Sequence, residues 1–292
     1  MKNLKYIALI SIALMAVNPV RNLLISNGVN LVWAEISTST LIEVQEDTQN
    51  LIKAKDQENP TPEEEQKLRL EIFTKVINLS LKEVEDIINQ LNALKNLNEP
   101  ETALLDQLLE KFNGFLQFYN EQKENLAPTA ELDLATIKKL AQDFKDWREN
   151  TYLPIFDTAT DFLLINQQKA ILEMTEKRYQ KISLDVAKLK KANLKGIDQL
   201  EKYLNQAADL IEAAKTIWQE TQDNFWQVTT ATSTATSTIA SVATSTATSS
   251  AVTTEENQPL SIKNLIRDSL NKIKEAYRIF IEMSNLVRKL LL

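Results

Sequence analysis

The sequence predicts an all-α protein, and three observations lead to that prediction. The 292 residues include only 3 Gly and 7 Pro, too few for the many turns that sheets and barrels require. Apolar residues recur at alternating spacings of three and four over long stretches, as on one side of a helix. Hydrophobic residues make up 43% of the chain, which is enough for a core. We expect long antiparallel helices in one elongated bundle or two connected ones.

Residues 1–34 have the pattern of an export signal. Two lysines precede an apolar run over residues 6–17, which is too short to span a bilayer but is typical of a signal-peptide core. Small residues then allow cleavage after Ala34. The alternative is an uncleaved N-terminal anchor, because residues 7–33 are mostly apolar. The sequence therefore predicts an exported protein that is extracellular, at the cell surface, or in the periplasm or envelope.

Residues 35–61 predict a weak helix and a linker, after which a stronger helix begins. Thr61 has the features of an N-cap, since Pro62 follows it at the first helical position. Three glutamates fill the first turn, where the helix dipole favours negative charge. We interpret this acidic run as a helix start rather than a cation site.

Residues 62–228 predict a helical bundle domain. Short connections at Pro100 and at the Ala-Pro-Thr segment ending at Thr129 separate amphipathic helices, and short connections imply antiparallel neighbours. We expect Thr129 to cap the third helix. Pro154 should end or kink a helix, because its ring removes a backbone donor. Beyond it, two long helices joined by a turn at Gly196 form a helical hairpin.

The return helix of this hairpin, residues 197–228, has an unbroken apolar seam. Ala207 and Ala214 lie in the middle of the seam, where they allow another helix to approach closely. Residues 229–258 follow as a Thr/Ser/Ala tract, which predicts a disordered, flexible linker.

Residues 259–292 predict a C-terminal amphipathic helix with 7 basic and 3 acidic residues, whereas the rest of the chain is acidic. This helix has three interpretations. It docks on the bundle and pairs its charges with the acidic body, lies apolar side down on an anionic membrane, or binds a partner in a groove. The residues that would form the membrane or partner face are Ile266, Ile273, Phe280, Val287 and Leu290.

Most aromatic residues lie on helical seams, where core packing accounts for them. Phe118 and Trp226 fall off their seams. These two are the candidate exposed anchors for a partner.

The sequence contains neither Cys nor His. Their absence excludes Ser-His-Asp and Cys-His hydrolase sites and thiolate or imidazole metal sites. Acidic pairs one turn apart, such as Asp143 and Asp146, are interpreted as solvated helix faces, because carboxylate di-metal bundles use His in such motifs. We therefore expect no enzyme activity, no cofactor and no bound metal. A net charge of −7 argues against nucleic acid as a partner.

Two functions remain. The leading hypothesis is a non-enzymatic exported helical scaffold or protein-interaction protein at the cell surface or envelope, with an unknown protein partner. The alternative is a helical protein that engages a membrane through the N-terminal segment, the C-terminal helix or both.

Overall fold

The computed structural model describes residues 61–126, 132–191, 196–239 and 261–291, together with position 49. Side chains are described to residue 229 in the third range and to residue 289 in the fourth. The predicted export signal, the weak helix apart from position 49, and most of the predicted flexible linker lie outside these residues.

Every secondary-structure element in the described ranges is helical, so the all-α prediction is confirmed. In chain order the elements are α1 (Pro62–Asn92), α2 (Glu99–Asn125), α3 (Leu134–Trp147), a π-helical turn (Arg148–Tyr152), α4 (Leu153–Lys191), α5 (Ile197–Ile239) and α6 (Ile262–Leu291).

Helix starts follow local capping chemistry. The Thr61 side chain accepts a hydrogen bond from the Glu64 backbone, and the Glu64 carboxylate accepts one from the Thr61 backbone, which forms the predicted cap as a complete capping box. The predicted cap at Thr129 is wrong. The third helix is capped by Asp133, whose carboxylate accepts a hydrogen bond from the Thr136 backbone at 2.7 Å.

The helical structure does not end at Pro154. Instead, α3 passes through the π-helical turn directly into α4. In an α-helix the ring of Pro154 would clash with the carbonyl of residue 150. The turn uses a wider hydrogen bond, from the Leu153 backbone N–H to the Arg148 carbonyl, which relieves this crowding.

The return helix of the hairpin is longer than predicted. We expect it to end at Val228, whereas α5 continues to Ile239. The extension consists of Ala, Thr, Ser and Ile without Gly or Pro. Because propagation from an existing helix avoids the cost of nucleation, such residues can extend it.

The described helices belong to two compact units that meet in sequence between Ala159 and Thr160. This boundary lies inside the predicted bundle domain 62–228, and α6 belongs to the second unit with most of α4 and α5. The reason lies in the helix contacts. The first unit is built from α1, α2 and α3, whereas the C-terminal helix packs on the hairpin rather than standing apart.

In the second unit, α4 and α5 form the predicted antiparallel hairpin. Lys190 pairs with Glu201 near the turn at 2.6 Å, and Glu176 pairs with Lys215 further along at 3.3 Å. Gly196 has a φ of 87°, the left-handed conformation expected of a glycine after a helix end.

The third helix of the second unit, α6, packs closely on α5. The contact is made by small residues that are fully buried, Ala207 and Ala214 on α5 and Ser269 and Ala276 on α6. The Ser269 hydroxyl donates a hydrogen bond to the Ala214 carbonyl at 2.9 Å, so the two backbones come very near each other. The sequence predicts that the two alanines permit another helix to approach closely, and the structure shows that this helix is α6.

The direction of α6 follows from its neighbours. Ser269, near its beginning, lies beside Ala214. Residues from Ile273 to Met283 share a core with α5 residues that extend back to Leu200. Therefore α6 runs antiparallel to α5 and parallel to α4.

A larger residue at Ala214 should separate α5 from α6. We expect Ala214→Leu to destabilise the second unit by about 1–3 kcal/mol, because the added side chain overpacks a fully buried contact between two helices. Hydrogen-exchange mass spectrometry of the intact chain should show faster exchange in peptides from α6. Ala187→Leu, at an exposed position of α4, is the matched control and should change exchange little. Equal protection in the two variants would contradict the close approach.

Candidate functional site

The first unit buries an arginine among polar and aromatic side chains. The Arg148 guanidinium donates from Nη2 to Glu83 Oε2 at 2.6 Å. It also donates from Nη1 to Ser80 Oγ at 3.0 Å and to Tyr119 Oη at 2.9 Å. Its Cζ atom lies 4.6 Å from the centre of the Tyr152 ring. The side chains of Arg148 and Glu83 are only 6% and 5% exposed. We call these five residues the Arg148 cluster.

Three parts of the chain form this cluster. Ser80 and Glu83 are three residues apart on α1, so they lie on neighbouring positions of one helix face. Tyr119 comes from α2, and Arg148 and Tyr152 are the first and last residues of the π-helical turn. The Ser80 hydroxyl donates its own proton to the carbonyl of residue 76 at 3.0 Å, which leaves its oxygen free to accept from the guanidinium.

Burial and charge together set the protonation states in the cluster. Burial disfavours the charge of Arg148, but the attraction of Glu83, the two neighbouring tyrosines and the hydrogen bond to Glu83 together more than offset it, so the pKa of Arg148 lies above its ordinary value. Burial raises the pKa of Tyr119 above 10.0, although the positive charge of Arg148 acts against this rise. Burial, followed by the negative charge of Glu83, also raises the pKa of Tyr152. Both tyrosines are therefore neutral when the ion pair is formed.

The geometry of the Arg148 cluster fixes helix packing. Its charges face each other and are sealed from water, so neither is available to a solvent-borne ligand. The Tyr152 hydroxyl is buried without a hydrogen-bond partner among the described residues, while its ring covers the guanidinium. Because a buried charge must keep its partners, α1, α2 and the π-helical turn are held in one register.

Around the cluster, two groups of aromatic residues that are separate in sequence form one layer. The Phe115 ring lies 5.5 Å from Trp147 and 5.3 Å from Tyr152, in edge-to-face arrangements. Phe118, a candidate exposed anchor, is half-buried and stacks on Trp147 with ring centres 3.9 Å apart. The structure therefore places Phe118 at the border of the aromatic layer rather than free in solvent.

The other candidate anchor, Trp226 on α5, is also half-buried. Its ring packs edge-on against Phe225 at 5.4 Å. Phe225 in turn stacks with Phe162 of α4 at 6.2 Å. Trp226 therefore borders the core of the second unit, and it lies in a different unit from Phe118.

The predicted membrane or partner face of α6 lies against the hairpin. Ile266, Ile273 and Phe280 are buried, and Val287 is partly buried against the same core. The side chain of Leu290 lies outside the described residues. This placement corresponds to the docking interpretation of α6, in which its apolar side is covered by α4 and α5.

A cation–π contact contributes to this docking on the side of α4. The Arg178 guanidinium of α4 lies 5.5 Å from the centre of the Tyr277 ring of α6. A described ion pair of α6, between Lys272 and Glu275 at 3.9 Å, is internal to the helix.

Charge is unevenly distributed over the three helices of the second unit. The part of α4 from Lys169 to Lys191 has seven basic and three acidic residues, and α6 has the same numbers. The part of α5 from Ile197 to Thr229 has two basic and six acidic residues. The unit therefore combines two basic helices with an acidic one.

The part of the chain that the structure describes holds no group of three acidic side chains arranged to bind a metal ion. None of the described helices has both the length and the apolar character that crossing a membrane requires. Comparison with known proteins gives no match to a protein-family model, to a curated protein or to a solved structure.

Sequence reasoning missed the roles of Glu83, Arg148 and Ser269 in organising these units. Glu83 lies beside the apolar seam of α1, and Arg148 continues the spacing of Ile137, Ala141 and Phe144, but their charges give no sign that they are buried together. Ser80 does stand out, as the one polar residue in the seam of α1. Ser269 has the right spacing between Ile266 and Ile273 to belong to the seam of α6, but its polarity hides this role.

Removing the negative charge of the Arg148 cluster should destabilise the first unit strongly. We expect Glu83→Gln to lower its free energy of unfolding by about 3 kcal/mol, because a buried guanidinium is left without a counter-charge. Pulsed hydrogen exchange across a urea series measures unfolding of α1 to α3 separately from the rest of the chain.

The matched control is Glu149→Gln, which removes an exposed glutamate that pairs with Lys145 at 3.5 Å. Its effect should stay within about 0.5 kcal/mol. Adding Arg148→Met to Glu83→Gln should recover part of the lost stability, since the uncompensated charge is then gone. Equal urea midpoints for Glu83→Gln and the control would show that the ion pair does not hold the unit together.

Proposed function

We propose that the protein is a non-enzymatic exported helical scaffold that makes contacts at the cell surface or envelope. The observation that carries this proposal is that the charged groups of the Arg148 cluster have a structural role inside the first unit. The ion pair of Arg148 and Glu83 is buried inside the first unit and holds three helical segments together. A catalytic site would instead need such groups at a surface that a substrate can reach.

The chemistry of the chain supports the same proposal. Neither His nor Cys is present, so the side chains most used for acid–base and nucleophilic catalysis are missing. Long helices with several polar faces offer extended surfaces for contact. The apolar N-terminal segment provides the route for export, as a signal or as an anchor.

A second candidate function, engagement of a membrane surface, is favoured by the charge distribution of the second unit. Two of its helices carry an excess of positive charge, which anionic lipids attract. The apolar side of α6 is buried, so this engagement would use the outward side of the unit.

Cell fractionation with external protease tests the proposed location. We expect added protease to digest the protein on intact cells, or on cells with a permeabilised outer envelope, because the helical units lie outside the cytoplasm. A variant that lacks residues 1–34 is the control and should remain protected until the cells are lysed. Lysine-reactive cross-linking before solubilisation then captures whatever the exported form touches. Protection of the unaltered protein in both preparations would contradict the proposal.

A further inference from the structure

The second unit has an outward surface on which basic side chains alternate with single apolar ones. Along α4, exposed residues recur at spacings of three and four on the side away from the core. Two of them, Met174 and Leu184, are 57% and 64% exposed. The full stripe is Met174, Lys177, Lys181, Leu184, Lys188 and Lys191.

A similar stripe runs along α6. Its exposed members lie within about 100° of Tyr277 around the helix, as the residue spacing requires. They are Arg267, Lys274, Arg278, Ile281 and Arg288, and Ile281 is 60% exposed. The acidic residues of α6 lie about 140–180° from Tyr277, so they border the stripe beyond Arg278, on the side away from α4.

The two stripes border the same seam between α4 and α6. The seam is marked by the Arg178 guanidinium on the Tyr277 ring. Met174 and Lys181 lie one turn from Arg178 on α4, and Lys274 and Ile281 lie one turn from Tyr277 on α6. Because the two helices run parallel, the stripes continue side by side. We call the two stripes together the cationic face.

The cationic face keeps an excess of positive charge after its acidic neighbours are considered. Glu173 and Asp185 also lie on the outer part of α4. Asp185 pairs with Lys188 at 3.0 Å and so offsets one lysine. Three further acids of α6, Asp268, Glu275 and Glu282, border the stripe near Arg278. The eight basic residues of the two stripes still outnumber these five acids.

The composition of the face favours a lipid surface over a protein partner. Protein interfaces are depleted in lysine and concentrate aromatic residues in a continuous apolar centre. Here the lysines dominate α4, and the most exposed apolar residues are three separate aliphatic side chains. Long basic side chains can reach lipid phosphates while short apolar tips enter the headgroup region.

We propose that the cationic face docks on the anionic surface of a lipid bilayer while α6 stays packed on α5. This inference rests on the proposed function, because it names the surface that an exported scaffold of this kind contacts. In this arrangement the unit lies on the bilayer, with its acidic helix α5 facing away from the lipid.

Vesicle binding by the full chain tests this docking. Vesicles of phosphatidylglycerol mixed with phosphatidylcholine should bind the protein, and binding should weaken as salt is added. Replacing Lys177, Lys181, Lys274 and Arg278 by Glu should weaken binding at least about tenfold. The matched control replaces Lys82, Lys111, Lys123 and Lys202, exposed elsewhere, by Glu. This control has the same net charge as the first variant and should bind within about twofold of the unaltered protein.

A second variant tests the apolar tips without changing charge. Leu184→Ser with Ile281→Ser should weaken binding at least about threefold while helicity by circular dichroism is unchanged, because both positions are exposed.

Equal vesicle binding by the two charge variants would overturn the proposal, as would equal binding of the unaltered protein to phosphatidylcholine alone. If no vesicle binds the protein but cross-linking on cells still captures a protein partner, the lipid assignment fails and the exported scaffold stands. If external protease never reaches the protein on cells while vesicle binding follows the cationic face, the proposed location fails instead.

Discussion

The close approach of α5 and α6 is the constraint on which the functional account depends. Small residues let the two backbones approach closely. The Ser269 hydroxyl donates its hydrogen bond to the Ala214 carbonyl within this contact. Because α6 is held this way, its apolar side is buried against α4 and α5. Its basic side is then turned outward beside that of α4. A helix whose sequence is compatible with a bundle, a membrane or a partner thus acquires a defined inner and outer side.

The two units use polar groups in different ways. In the first unit, a guanidinium, a carboxylate and hydroxyl groups are buried together, and they fix the register of three helical segments. The π-helical turn contributes Arg148 and Tyr152 to this cluster and also accommodates Pro154. In the second unit, most charges stay on the surface and are segregated by helix. The first pattern gives a specific packing, whereas the second gives a directional surface charge.

The sequence predicts the helices well because they depend on spacing and caps, which are local. Thr61, Gly196 and the seam through Ala207 and Ala214 all act as predicted. Residues whose role depends on another part of the chain were not predictable. Arg148 looks like a solvated arginine until α1 brings Glu83 to it, and the third helix is capped by Asp133 rather than by the residue that its sequence pattern indicates. The cationic face likewise forms only when the apolar side of α6 packs on the hairpin and its basic side is left exposed.

A disulfide lock between α5 and α6 tests the central claim directly. The protein has no native cysteine, so Ala214→Cys with Ser269→Cys provides a single thiol pair at a point where a side chain of α6 reaches the backbone of α5. A thiol titration confirms that the lock has closed. If α6 stays packed on α5 at the bilayer, the oxidised variant binds phosphatidylglycerol-containing vesicles as tightly as its reduced form. Loss of binding on oxidation, with recovery on reduction, would show that α6 must leave the bundle and would contradict the account.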